Sequence, residues 1–171
     1  HVFSNETFHN AEEQTNNWEA HKQEERSRRA ALEKRSISIL DDVPKNLPAL
    51  VRAKKLTKRA ATVGFDWPQT DQVVAKIDEE LAEVKAEINA NTSQNCLEDE
   101  IGDLLFTVAN LARHYKIDPE TALKKTNRKF IDRFHFIERK LEAADMSFED
   151  ASLELMEEHW QTAKTMLLKI E

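Results

Sequence analysis

Glycine and proline are scarce in this chain of 171 residues: two of the first and four of the second. That scarcity argues against a turn-rich β fold, and no segment shows a convincing period-2 alternation of apolar and polar residues. Cysteine occurs once, at Cys96, so an intrachain disulfide is excluded and a reducing, cytoplasmic setting is expected. No run approaches the ~18 consecutive apolar residues of a membrane span, and no signal-peptide pattern is seen. An excess of positive charge is missing as well. The net charge is −7, whereas nucleic-acid binders usually carry a basic face. Neither nucleic acid nor a membrane is an expected partner.

What abounds is Ala, Leu, Glu and Lys, the residues of helices. The length suits one domain plus a tail, or at most two small domains. Residues 1–40 are polar and highly charged and read as a tail or the remnant of a preceding domain. The start at His1 rather than methionine suggests a piece of something longer. Trp18 to Arg35 is helical in composition with a thin apolar stripe, and Trp18-x-x-x-Lys22 returns faintly as Trp160-x-x-x-Lys164.

Beyond Pro44 the punctuation predicts a basic helix over 48–62, opened by Pro48 and ended by Gly64. Phe65-Asp66-Trp67-Pro68 forms a short connection to a helix over 71–89. Asn91-Thr92-Ser93 breaks the chain and supplies an N-cap for a helix over 95–115. Asp118-Pro119-x-Thr121 starts the next helix, which reaches about 142. Ser147-x-x-Asp150 is a loose form of the capping box, and a last helix covers 152–169. The fold class is all-α, a bundle in which the second and third helices are antiparallel neighbours.

Those two helices carry the most informative pattern, Glu79-Glu80-x-x-Glu83 and Glu100-x-x-Asp103. Residues three apart on a helix are surface neighbours, so each pair points into one space. At roughly 100° per residue, Ile77, Leu81, Val84 and Ile88 form one apolar stripe, and Leu97, Ile101, Leu104, Val108 and Leu111 the other. Glu80, Glu83, Glu100 and Asp103 flank the stripes, with Asn110 and His114 further along the same edge. Glu79 falls farther round, towards solvent. Four converging carboxylates repel one another unless a cation lies between them, and hard oxygen ligands suit Mg²⁺ or Mn²⁺. Solvated carboxylates on amphipathic helices give the same pattern, and the spacing alone leaves the two readings even.

The ordered set of segments resembles the MazG family of all-α nucleoside triphosphate pyrophosphohydrolases, in particular its C-terminal catalytic unit. The resemblance rests on the two acidic motifs with Ile101-Gly102 and Leu104-Leu105-Phe106. It extends to Arg52-Ala53-x-Lys55, Lys58-Arg59-Ala60, Val63-Gly64-Phe65-Asp66-Trp67, Asn110-Leu111-Ala112-Arg113-His114, Lys129-Phe130-x-x-Arg133-Phe134 and Met156-Glu157-Glu158-x-Trp160, and so to residues 41–171 as one domain. It implies an antiparallel four-helix core and a homodimer. It further implies Mg²⁺-dependent hydrolysis of NTPs and dNTPs to monophosphate and pyrophosphate, with Mn²⁺ as a possible substitute. By the same resemblance Glu80, Glu83, Glu100 and Asp103 are metal ligands, and Glu79 joins the catalytic set. Lys76, Asp103, Asn110, Lys129, Arg133 and Trp160 are substrate-binding. Cys96 stands where a close relative has a lysine near the nucleotide.

Plainer roles stay open for several of these residues. Lys129 and Arg133, one turn apart, can face one phosphate chain or form a solvated basic face. The run Arg52, Lys54, Lys55, Lys58 and Arg59 can steer anions or simply be surface. Trp160, in register with Leu153, Met156 and Leu167, is either a core aromatic or a platform for any base. His114 reads as structural, because hard metals prefer oxygen. The alternatives to a broad NTP pyrophosphohydrolase are a narrow house-cleaning enzyme for one dNTP or damaged nucleotide, and a non-catalytic helical dimerisation module.

Overall fold

The computed structural model describes residues 38–167 and, before them, His21, Glu24, Glu25 and Arg28. The expected helix from Trp18 to Arg35 falls almost wholly outside the described residues, as do the Trp18 half of the repeat and Lys169. Five α-helices follow one another, with no strand among the described residues: α1 Ala49–Ala61, α2 Thr70–Ala90, α3 Gln94–His114, α4 Pro119–Ala143 and α5 Leu153–Leu167.

The boundaries follow from local chemistry. Pro48 precedes α1, and its carbonyl accepts from Arg52 N–H at 2.9 Å. Gly64, at φ 83°, ends the following turn, where Phe65 N–H donates to the Ala60 carbonyl; a left-handed residue is the usual helix stop. Asn91 ends α2 in the same way at φ 50°. Ser93 caps α3 by accepting from Cys96 N–H, and Asp118 caps α4 by accepting from Thr121 N–H at 2.9 Å. The Ser147 box forms, with Ser147 Oγ accepting from Asp150 N–H, but it closes a turn ahead of the helix. The hydroxyl that caps α5 belongs to Ser152, which accepts from Leu155 N–H at 3.2 Å.

α2 and α3 form the most closely packed pair, joined by residues 91–93, and α1 lies against α3. α4 meets α1 and brushes α3, and among the described residues α5 packs on α4 and on no other helix. Two long-range ties fix α1: Lys54 Nζ reaches Asp118 Oδ2 at 3.3 Å, and Arg59 pairs with Asp42. The buried apolar residues are Val43, Ala53, Val73, Val84, Ala109, Ile137, Leu141 and Ala163.

This core is narrower than the apolar stripes suggest. On α2, Val73 and Val84 are buried, but Val74, Leu81 and Ile88 are exposed. On α3, Thr107, Ala109 and Asn110 fill the interior, while Ile101, Leu105, Phe106 and Val108 stay exposed. Among the described residues, α2 and α3 pack through one side only, and none of the helices α1 to α5 covers the other. Leu153 is also 73% exposed, so the line expected through Leu153, Met156 and Trp160 is not one buried stripe. α5 has a single neighbour, and only part of its apolar surface is covered.

Candidate metal centre and nucleotide site

The α2–α3 pairing brings Glu80, Glu100 and Asp103 together. One carboxylate oxygen from each lies within 4.8 Å of the others. Burial decreases across the set: Glu80 is 5% exposed, Glu100 half-buried and Asp103 exposed. Glu80 is thus an acid in the interior, and burial of a charge is costly without a partner. Its partner is Lys76, one turn back on α2, whose Nζ lies 2.9 Å from Glu80 Oε1. The same Nζ lies 2.8 Å from Glu79 Oε1, and Glu79 is exposed, as its register predicts. The two glutamates raise the Lys76 pKa above its ordinary value, Glu79 contributing first.

Glu83 stands at the rim of this group rather than in it. Its hydrogen bond with Glu80 is the main cause of a pKa above the usual carboxylate value. Desolvation and the charges of Glu80 and Glu100 add to this, and Lys76 opposes them. Like charges are thus crowded at this edge of the α2–α3 seam. The spacing of the acidic motifs predicts four converging carboxylates; Glu80, Glu100 and Asp103 lie together, and Glu83 is outside that group.

The donor set fits a hard divalent ion. All the contributing atoms are carboxylate oxygens, the ligand type a hard divalent ion such as Mg²⁺ takes, with water filling the remaining positions. Glu80, Glu100 and Asp103 are the residues that could hold such an ion, with Glu83 beside them.

Farther along α3 the expected edge leads elsewhere. Asn110 is buried, and its Oδ1 accepts from Arg113 Nε at 2.8 Å. Arg113 Nη2 in turn donates to Asp66 Oδ1 at 2.5 Å. His114 Nε2 lies 2.9 Å from Arg113 Nη2 and 3.1 Å from Asp66 Oδ1, so its ring serves one or the other according to protonation. Burial alone would raise the Asp66 pKa. Pairing with Arg113 and then His114 outweighs that and holds it below the usual value. His114 is therefore structural: it and Arg113 tie the connection between α1 and α2 to the end of α3. Neither Phe65, 82% exposed, nor Trp67 is buried by that tie. The Asp66 anchor lies 47 residues from Arg113 in sequence, and no spacing rule could have found it.

The remaining expected site residues lie on the α4–α5 hairpin. Arg133 sits over the Trp160 ring, with its guanidinium carbon 5.4 Å from the centroid, in cation–π geometry. Phe130 tilts against Trp160 at 5.2 Å, and Phe134 stacks between Phe130 and Phe148. Lys129 is exposed. Trp160 is half-buried in this aromatic group, which sequence spacing left open. Among the described residues no hydrogen bond or ion pair joins Lys129, Arg133 or Trp160 to the carboxylates. Cys96 is exposed beside Ser93, at 3.2 Å between Sγ and Oγ, in the first turn of α3.

Comparison with known proteins bears on this geometry. Residues 69–136, from the start of α2 into α4, match the MazG nucleotide pyrophosphohydrolase domain. A nucleoside triphosphate pyrophosphohydrolase of Escherichia coli K12 is 46% identical over 165 residues, 96% of this chain and 61% of the relative. The Thermotoga maritima protein named nucleoside triphosphate pyrophosphohydrolase/pyrophosphatase MazG is 38% identical over 131 residues, 77% of this chain and 50% of its own length. An uncharacterized Bacillus subtilis protein, YabN, is 40% identical over 96% of this chain, which spans 32% of it. The chain thus spans less than two thirds of each of these curated relatives.

Proposed function

This chain belongs to the MazG family, and from that premise we propose that it hydrolyses nucleoside triphosphates to the monophosphate and pyrophosphate with Mg²⁺. The carrying observation is the convergence of Glu80, Glu100 and Asp103 across the α2–α3 seam. Two of the relatives are named for this reaction.

Cleavage between the α and β phosphates consumes one water and leaves negative charge on the departing pyrophosphate. A bound Mg²⁺ neutralises that charge and acidifies a water. Glu80, Glu100 and Asp103 would hold the ion, with Glu83 as the fourth ligand. The α2–α3 packing fixes the positions of these carboxylates before substrate arrives, and positioning and electrostatics are most of the catalysis in phosphoryl transfer. Lys129 and Arg133 hold the phosphate chain from the α4–α5 hairpin, Arg133 by the bidentate contacts guanidinium favours. Lys76 lines the phosphate side of α2. Trp160 contacts the base or sugar with the surface its aromatic neighbours leave free. Contacts to phosphate and a stacking face do not distinguish bases, so the specificity is broad. Discrimination above about a hundredfold between bases, about 2.7 kcal/mol, would instead favour the narrow house-cleaning reading.

The functional unit is a two-fold dimer. Val74, Leu81 and Ile88 recur every seven residues on α2, and Ile101, Leu105 and Val108 share a face of α3. Contiguous exposed apolar surface of this kind marks an interface. A second copy closes the four-helix core that one chain leaves open. Light scattering at micromolar concentration should give twice the 19.8 kDa chain mass; a monomer would contradict it.

Product analysis tests the reaction itself. Incubation with ATP and Mg²⁺ should yield AMP and pyrophosphate. ADP and phosphate would point to another hydrolase, and no turnover of any NTP would favour the dimerisation module.

A further inference from the structure

Among the described residues, the cation paired with the carboxylate cluster is Lys76, and its position raises a question of competition. A metal ion that takes Glu80 as a ligand approaches the carboxylate whose Oε1 already holds Lys76 Nζ at 2.9 Å. Glu80 is buried and Lys76 is half-buried, so neither partner is fully screened by water. Yet the ammonium is shared. Its second contact is Glu79 Oε1 at 2.8 Å, on the exposed side of α2. A lysine that precedes its glutamate by four residues is also the weaker of the two helical orders for such a pair. These features describe a cation that can leave Glu80 without losing all its partners.

We propose that Lys76 is a displaceable counter-ion: it neutralises Glu80 while the metal site is empty, yields Glu80 to the divalent ion, and turns on its Glu79 tether to the incoming phosphates. Resting on the metal-dependent reading above, this gives one residue opposite effects on two ligands. Lys76 opposes the metal, because its charge occupies Glu80 and relieves the repulsion that a metal would otherwise relieve. It favours the triphosphate, because the released ammonium faces an anion. Glu79 is then a tether and not a metal ligand. Lysine suits the task better than arginine, since its compact charge on a flexible stem can swing between partners without matching a planar fork.

Mn²⁺ binding followed by electron paramagnetic resonance, without nucleotide, tests this on the intact chain. Lys76→Gln should tighten Mn²⁺ about fivefold, equivalent to about 1 kcal/mol, while the KM for ATP at saturating Mg²⁺ rises about tenfold. Glu79→Gln should weaken Mn²⁺ in the parent chain and have little effect in the Lys76→Gln background, because its action runs through Lys76. Lys76→Arg should return Mn²⁺ affinity to near the parent value. A damaged fold would weaken both ligands together, and circular dichroism on each variant detects it. If the parent binds Mn²⁺ and Lys76→Gln leaves it unchanged or weaker, the counter-ion role is wrong and the metal site stands. If the parent binds no Mn²⁺, the metal-dependent reading and this proposal both fall.

Discussion

The α2–α3 hairpin and the α4–α5 hairpin are built from helices of similar composition, yet they treat charge in opposite ways. In α2–α3, like charges are forced together: Glu80, Glu100 and Asp103 converge, Glu83 leans on Glu80, and a single lysine offsets them. In α4–α5 the charge of Arg133 is set against aromatic faces instead, although its buried Nε has no hydrogen-bond partner among the described residues. Arg133 rests on Trp160, Trp160 rests on Phe130, and the aromatic stack continues through Phe134 to Phe148. A folded chain tolerates unrelieved repulsion where a ligand will relieve it, and stability alone gives no reason to assemble it. On the proposed function, the first hairpin would carry the chemical step, and the second would carry grip on the nucleotide together with its own packing.

Substitutions should break this contrast along the same line. The largest effect is expected from Glu100→Ala: kcat/KM should fall by at least about a hundredfold, about 2.7 kcal/mol. The melting temperature should hold or rise, because the change removes repulsion and leaves the α2–α3 apolar contacts intact. A loss of stability with activity retained would reverse the assignment of the two hairpins. Trp160→Ala should do the opposite. Its KM should rise about tenfold for every NTP with a smaller change in kcat, since base contact is shared by ground and transition states. It should also cost about 2–3 kcal/mol of stability, below the range for a fully buried tryptophan. If stability were untouched, the aromatic group would not be packing as the ring geometry indicates.

A smaller effect sharpens the comparison at its edge, where α3 passes from chemistry to scaffolding. Asp66→Asn should cost about 1–2 kcal/mol by weakening the charge-assisted bond to Arg113. The Asp66 pKa is depressed in the fold, so its contribution is complete above the ordinary value of 3.8 and is lost as pH falls through the lower folded value. Denaturant melts of both proteins should therefore draw together as pH falls below 3.8 and converge once it is below the folded value. A gap that persisted there would assign the effect to packing rather than charge.

How much of this was legible depended on the range of the interaction. Helix ends were readable because their signals are local. The Asp118 cap, the Ser93 cap and the Gly64 stop each act within about one turn, and, apart from the end of α5, whose expected last residues lie outside the described ones, the helices begin and end within a residue of the expected places. The acidic cluster was readable because helical spacing fixes which side chains share a flank, and a three-residue connection forces α2 beside α3. Burial was read less well. Leu81, Ile88, Ile101 and Val108 have the periodicity of core residues and remain exposed, since a stripe records that a face will be covered and not by what. The Asp66–Arg113–His114 tie and the Arg133–Trp160 contact were invisible for another reason: each joins separate elements, and no sequence period links them.

The most direct test of the central claim is to locate the metal. In crystals soaked with Mn²⁺, an anomalous difference map should show its strongest peak between the carboxylates of Glu80, Glu100 and Asp103, with Lys76 withdrawn from Glu80. A principal peak elsewhere, or none at this cluster with nucleotide present, would contradict the account.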